Sequence, residues 1–425
     1  MAALDFEAVE MAARQQALRL AARALEQRLN ADTSHYAGPE LPCVCGGSAH
    51  YHGRHGKSFE SALGALHLER AYYHCDRCHG GFCPRDRALR LESFSLTPGV
   101  LRITASAAAV VSFAESSGLL RELAGVEVSP KQVERAAEAV GGEIAVEERQ
   151  DVERRGEMAP TIYLGMDGTG VPMRSQEVAD RAGKQTDGSA KTREAKLVTI
   201  WTAESRDAEG KPVRDSGSVT YSAAIESAAT LDTSADLSDF AARVQREAGR
   251  RGFSEAPRQA VLGDGSVWIW NTTTELFPQA TQILDRFHAK EHLSQVGKVI
   301  YGDSPESKPW IEARYEELDQ GHLKSLVHWL RGHANHHKEA RECTHYIWEN
   351  RRRMRYPKFH QQGFCTSTGV VEAGCKVVIG TRLKRAGMHW TVKGANAIIA
   401  LRCSKLSGRF EDFWERRSGR KQAAA

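Results

Sequence analysis

Residues 161–171 read Thr-Ile-Tyr-Leu-Gly-Met-Asp-Gly-Thr-Gly-Val, and residues 259–265 read Gln-Ala-Val-Leu-Gly-Asp-Gly. Each is a short apolar run with strand character that closes on an aspartate set between glycines. One Asp-Gly pair by itself marks a turn. Two such pairs, each following a strand, carry a different implication. An acid flanked by glycines at a strand end can face a cleft with little crowding, and two on neighbouring strands could share a metal. Asp167 and Asp264 are therefore the first candidate site residues.

The pattern around them is α/β. After the strand at 161–171, Leu197–Glu204 and Gly217–Ile225 read as two further strands. Ser238–Gly252 has helical spacing, the run to Asp264 is a strand, Ser266–Phe277 a helix, and Gln279–His288 another strand. The order β-β-β-α-β-α-β predicts a ribonuclease H-like core. Between its first two strands, the polar stretch Arg174–Lys191 lacks periodicity and is predicted to be a loop. A helical insertion rich in His, Arg and Trp is expected over about 289–365, and two closing helices over 369–380 and 391–406. A third acid, Glu372, lies in Ser-Thr-Gly-Val-Val-Glu-Ala-Gly-Cys-Lys, residues 367–376. Ser367 or Thr368 could cap a helix there, and Ala373 and Gly374 would let it pack closely on a sheet. Spacing alone serves equally for a first-turn glutamate favoured by the helix dipole.

The front of the chain has a different texture. Residues 4–30 are amphipathic at helical spacing. Five of the nine cysteines fall between Cys43 and Cys83, where His and Gly also rise and Leu63–Cys75 alternates like a hairpin strand. The pairs Cys43/Cys45 and Cys75/Cys78 suit a closed four-thiolate zinc site with a folding role, in the form of a zinc ribbon, with His50, His52, His74, His79 and Cys83 as alternative ligands. An odd cysteine count argues against a disulfide framework. Two helices follow over 92–142. The first is expected to end at Gly125; the second is expected to start at Ser129-Pro130 and to end at Gly141-Gly142, giving a helix-turn-helix-like pair. An acidic linker, residues 147–157, leads into the α/β region. The expected organisation is thus an N-terminal helix at 1–39, a zinc ribbon at 40–86, a helical region at 87–150, the α/β domain at 155–410 and a basic tail at 411–425.

Charge and hydropathy narrow the function. The net charge is +4, but residues 351–425 hold 17 Lys/Arg against 4 Asp/Glu, which is +13 and leaves −9 for the rest. Such a block suits an anionic partner, and the DNA backbone is the commonest. No run approaches the roughly 20 apolar residues of a membrane span. The N-terminus has no basic region leading into an apolar one, so a cytoplasmic location, associated with the nucleoid, is expected.

Several long motifs together resemble the ISKra-type transposases of bacterial insertion sequences, relatives of the Mutator group. They are Gly165–Arg174, Gly183–Leu197, Leu262–Asn271, Ile283–Leu293, Ser367–Lys376 and Met388–Arg402, with Cys43–Arg54 and Leu68–Asp86 in front, and the resemblance covers residues from about 40 to 415. It implies a ribonuclease H-like fold with a DDE triad at Asp167, Asp264 and Glu372, separated by 97 and 108 residues. It also implies two catalytic magnesium ions, with manganese as an alternative, and one structural zinc. The reaction implied is cleavage and transfer of DNA strands at the ends of a mobile element. Asp285 and His288 resemble an Asp-x-x-His signature that would order the cleft. Double-stranded DNA is the expected partner, met by a homo-oligomer. Lys131, Gln132 and Arg135 on the second front helix would read terminal repeats, and Arg351, Arg352, Arg353, Arg355, Arg382, Lys384 and Arg385 would hold phosphates. The competing expectation is a transposase-derived regulatory protein that binds DNA without cutting it.

Overall fold

A computed structural model describes residues 5–150, 158–179, 192–228, 237–367 and 369–419. The chain forms two compact units, Met1–Val140 and Gly141–Ala425, with the boundary inside one helix. No helix among the described residues is long and apolar enough to cross a membrane.

In the first unit, α1 (Phe6–Ala31) starts at Asp5, whose side chain accepts from the Ala8 N–H. Four strands follow as an antiparallel sheet in sequence order: β1 (Glu40–Pro42), β2 (Ser48–Ser61), β3 (Gly64–His74) and β4 (Gly81–Phe82). One stripe of α1, through Ala22, Leu25 and Leu29, packs on Phe59, Leu66 and Leu68 of the long hairpin. Short α2 (Pro84–Leu89) precedes α3 (Pro98–Val110) and α4 (Phe113–Leu119), which runs into a π-helical turn, Leu120–Ala124. Gly125 ends that helix in the left-handed conformation, φ +68°, which glycine adopts without a Cβ clash. Helix α5 (Pro130–Glu147) begins with a reciprocal cap in which the Gln132 N–H donates to Ser129 Oγ and the Ser129 N–H to Gln132 Oε1. Contrary to the sequence expectation, Gly141-Gly142 does not end α5. The glycine is there for packing: a Cβ on Gly141 would lie 2.1 Å from the Ala397 carbonyl oxygen.

The second unit is built on a five-stranded mixed sheet, β11-β10-β5-β6-β9. Its strands are β5 (Thr161–Pro172), β6 (Thr192–Trp201), β9 (Thr220–Ala224), β10 (Arg258–Gly263) and β11 (Thr281–Leu284); β7 (Ser205–Arg206) and β8 (Pro212–Val213) form a separate ribbon. β6 runs antiparallel to both β5 and β9, while β10 runs parallel to β5 and β11. Helix α6 (Asp239–Arg251) and α7 (Val267–Leu276) connect the later strands, and Phe240, Val244 and Ile269 enter the main core beside Leu164, Val198 and Leu262. The predicted insertion is helical: α8 (Arg286–Tyr301), α9 (Ser307–Asp319), α10 (Leu323–His333), α11 (Lys338–Asn350) and α12 (Tyr356–Gln361). The chain closes with α13 (Gly369–Gly374), a π-helical stretch Cys375–Gly380, α14 (Thr381–Leu383), α15 (Val392–Leu406) and α16 (Phe410–Arg417).

The edge strand β9 is covered rather than left open, since Asn396 Oδ1 accepts from the Ile225 N–H (2.7 Å) and Ser407 Oγ from that of Tyr221 (2.9 Å). The expected basic tail begins as an ordered element, because Phe410, Phe413 and Trp414 of α16 are buried. Residues 180–191 of the polar stretch, residues 151–157 of the acidic linker, Thr368 and residues 420–425 lie outside the described residues.

Candidate functional site

Asp167 does not end its strand, as the sequence suggested; it lies within β5, opposite Leu197 of β6. On its other side the picture differs. The parallel ladder between β5 and β10 closes at the pair Gly165 and Leu262. Asp167 and Asp264 each stand two residues past that last pair, Asp167 still in β5 and Asp264 in the turn after β10, and their carboxylates are near enough to interact. The pairing stops because β10 turns at Asp264-Gly265-Ser266 into α7, and the turn is an Asx cap: Asp264 Oδ1 accepts from the Ser266 N–H (2.8 Å) and Oδ2 from its hydroxyl (3.1 Å).

This part of the sheet is covered by α13. Val371 reaches down onto Gly165, where a Cβ would be 2.1 Å from its Cγ2, and Gly374 presses against Leu197, Thr199 and Tyr221. The next residue, Cys375, is buried, and its thiol lies near enough to the Asp167 carboxylate to favour its charged form. Asp167 also accepts from the Gly168 N–H, at 2.6 Å. Burial raises the Asp167 pKa and the nearby Asp264 carboxylate adds to the rise, while the bonds from Cys375 and Gly168 work the other way. Two acids near one another, one of them partly desolvated, are a poor arrangement without a counter-charge and a suitable one for a divalent cation held by oxygen ligands. The donor set fits that class of ion.

Glu372 lies on α13 and differs in kind from the two aspartates. It flanks the buried residues Val371 and Gly374, and its own side chain is exposed. The structure therefore brings Asp167 and Asp264 near one another and leaves Glu372 exposed on α13. Asp285 is buried and caps α8, accepting from the Phe287 N–H at 2.8 Å; its own N–H donates to the Gly263 carbonyl, one residue before Asp264. It orders the strand-to-helix turn beside the cleft. His288 stands on the first turn of α8, 3.4 Å from Glu291 and edge-on to His292. His292 was not singled out in the sequence; burial pushes its imidazole pKa down, and His288 adds to this.

The basic residues divide into surface and framework. Lys384 is exposed and donates to Thr169 Oγ1, two residues along β5 from Asp167, so it stands at the mouth of the carboxylate face. Arg352, Arg355 and Arg385 are exposed, and Arg351 lies over the Trp348 ring at 4.4 Å. Arg353 is tied to Gln282 (2.7 Å) and Asn350 (3.0 Å) and covers Trp270. Arg382 is fully buried over Trp390, which excludes the phosphate contact expected of it. In the first unit, Lys131 is exposed and pairs with Glu134 at 2.6 Å, Gln132 is engaged in the α5 cap, and Arg135 is exposed.

The cysteines form a second site, in the first unit. The sulfurs of Cys43, Cys45, Cys75 and Cys78 all lie within 4.8 Å of one another, and no histidine joins them. Cys43 and Cys78 are 3.6 Å apart, Cys45 and Cys75 3.7 Å. A disulfide would bring sulfurs to about 2.05 Å; a tetrahedral ion with bonds of about 2.3 Å separates them by about 3.8 Å. These four thiols could hold a metal ion. Both pairs sit on tight turns, closed by the Cys43 N–H on the Gly47 carbonyl (2.8 Å) and the Cys75 N–H on that of Gly80 (2.9 Å). The N–H of Cys78, on the second turn, helps push the Cys75 thiol down to about 7. Cys83 stays apart, buried at the start of α2.

With these two sites described, comparison with known proteins adds a family. Residues 51–419 match the model of an uncharacterised protein family, UPF0236. The chain belongs to that family. No curated protein matches it. The family match covers the greater part of the ribbon and the whole described α/β unit, so the carboxylate site and Cys75 and Cys78 fall within the matched region, while Cys43 and Cys45 lie just before it.

Proposed function

We propose that this member of the family is a DDE-type transposase, an enzyme that cuts and joins DNA strands with divalent cations. The observation that carries the reading is that Asp167 and Asp264, each two residues past the last pair of the parallel β5–β10 ladder, bring their carboxylates near one another. The sheet order supports it, since in β11-β10-β5-β6-β9 only β6 runs against the other four strands, the arrangement expected of a ribonuclease H-like core. Asp167 and Asp264 would hold the cations, with Glu372 of α13 as the third acid. A magnesium pair, or manganese in its place, would supply charge stabilisation at the attacking and leaving oxygens of the phosphodiester. The chain's own contribution is positioning: Asp285 orders the turn beside Asp264, buried Cys375 favours the charged Asp167 carboxylate, and Lys384 meets phosphate charge at the mouth. The four-cysteine cluster would hold a structural zinc, closed to substrate because all four positions are protein ligands.

The test is a nicking assay on duplexes taken from the DNA that flanks the gene, with Mg²⁺ or Mn²⁺. Cleavage is expected in the wild type. Asp264→Asn should lose it by at least about 100-fold while retaining DNA binding. Wild-type cleavage by that variant would sink the assignment. Binding without metal-dependent cleavage by the wild type would favour the regulatory protein.

A further inference from the structure

The turn that carries Asp264 has little to hold it from within. Gly265 sits at φ +104°, a region open to glycine and strained for other residues, and the Ser266 bonds restrain the Asp264 side chain more than its peptide. The Asp285 N–H holds the Gly263 carbonyl just before the turn (2.9 Å), and a second hold on the backbone comes from outside the sheet. Tyr346, on α11 of the helical insertion, donates its hydroxyl to the Asp264 carbonyl at 2.8 Å. Its ring lies against the turn so closely that a Cβ on Gly265 would be 2.6 Å from Cε2. Tyr346 is itself well fixed: its ring rests on His292 of α8, centroids 4.3 Å apart, its carbonyl accepts from Asn350 Nδ2 at 3.0 Å, and Cys343 and Ile347 anchor α11 in the core.

We propose that Tyr346 is a positioning residue, which sets the Asp264 turn from the insertion and thereby tunes cation binding at the carboxylate face. The inference rests on the reading of Asp167 and Asp264 as cation ligands. Its physical basis is that a ligand's outer partners fix its orientation, and losing one commonly weakens metal binding by about 10–100-fold. The role differs from mere packing. Tyr346→Phe keeps the ring against Gly265 and removes only the hydrogen bond to the carbonyl.

Mn²⁺ binding to the full-length, zinc-loaded protein, followed by the electron-spin resonance signal of free Mn²⁺, tests it. Wild type, Tyr346→Phe, His292→Leu and Asp167→Asn are compared. The expected result is Mn²⁺ binding in the wild type that Asp167→Asn removes, and at least about tenfold weaker binding in Tyr346→Phe at an unchanged melting temperature. Saturating Mn²⁺ should then restore the nicking rate of Tyr346→Phe, which a general loss of structure would not allow. Wild-type Mn²⁺ affinity in Tyr346→Phe overturns the inference and leaves the proposed function standing. Absence of any Asp167-dependent Mn²⁺ binding in the wild type overturns both. His292→Leu, which removes the ring that Tyr346 rests on and leaves the Asp264 turn itself unchanged, decides the matter should Tyr346→Phe unfold: it must weaken Mn²⁺ binding too, and unchanged affinity there counts against the clamp.

Discussion

Gly141 shows how one residue carries meaning that local propensity misassigns. In a helix interior glycine costs about 1 kcal/mol relative to alanine, so Gly141→Ala would stabilise an isolated helix. Here the added methyl would lie 2.1 Å from the Ala397 carbonyl oxygen, which is backbone and cannot swing aside. Overpacking of this kind costs about 1–3 kcal/mol. Gly141→Ala should therefore lower stability in urea unfolding, whereas Gly142→Ala, which meets nothing within 4 Å, should be neutral or stabilising. If both variants gain stability, the packing account is wrong. At the same scale, Arg353 and Arg382 look like surface cations in the sequence and prove to be framework, one braced on Gln282 and the other buried over Trp390.

At the scale of elements, the ribbon and the sheet draw on different sources of stability. Away from the end of the hairpin that α1 covers, the ribbon's apolar set is small: Ala49, Ala71 and Tyr73 with the cysteines. The four thiols would make up the deficit by binding metal, since the free energy of closing a zinc site is also folding free energy. Purified protein should carry about one equivalent of structural zinc. Chelation should melt the ribbon's strands, and Cys45→Ser should lower the zinc content, as measured by atomic absorption and far-ultraviolet circular dichroism. A protein without zinc whose spectrum is unmoved by chelator would remove the metal from this account. The α/β unit has no such need, because its sheet is buried among α6, α7, the insertion helices and α13.

Across the whole molecule, the basic C-terminal block turns inward in part. Arg409 reaches Glu247 at 2.7 Å, Arg417 reaches Glu143 at 2.6 Å, and Arg416 pairs with Glu147. Arg243 links Glu226 (2.7 Å) and Glu148 (3.2 Å) in the same region. The excess of positive charge at one end and of negative charge elsewhere is thus partly an internal match between the chain's end and helices α5 and α6. Glu247 is fully buried, and Arg250 joins Arg409 on it. Burial opposes its ionisation, but Arg409 and Arg250 outweigh it and hold its pKa below the usual carboxylate range. A depressed folded pKa means stability that is present above the unfolded value of about 4.3 and lost as pH falls through the folded one. Glu247→Ala should cost about 3–5 kcal/mol at pH 7 by leaving buried cations unpaired. The gap from wild type, read by denaturant unfolding, should narrow as pH drops below about 4. A pH-independent gap would place the cost in packing instead.

Sequence alone determined the element types, because periodicity and turn residues are local. The strand order around the two aspartates, the cysteine pairs, the cap at Ser129 and the helical nature of the insertion all follow from neighbours a few positions apart. It also located Asp167 and Asp264, since an acid between glycines after an apolar run is a local signal. Tertiary structure decided what depends on chain segments far apart. That set includes the nearness of the two aspartates, the exposure of Glu372 and the burial of Cys375 beside Asp167. It also includes the hold of Tyr346 on a turn 82 residues away and the burial of Arg382. No local pattern encodes these, because each depends on which surfaces the packed sheet and helices bring into contact.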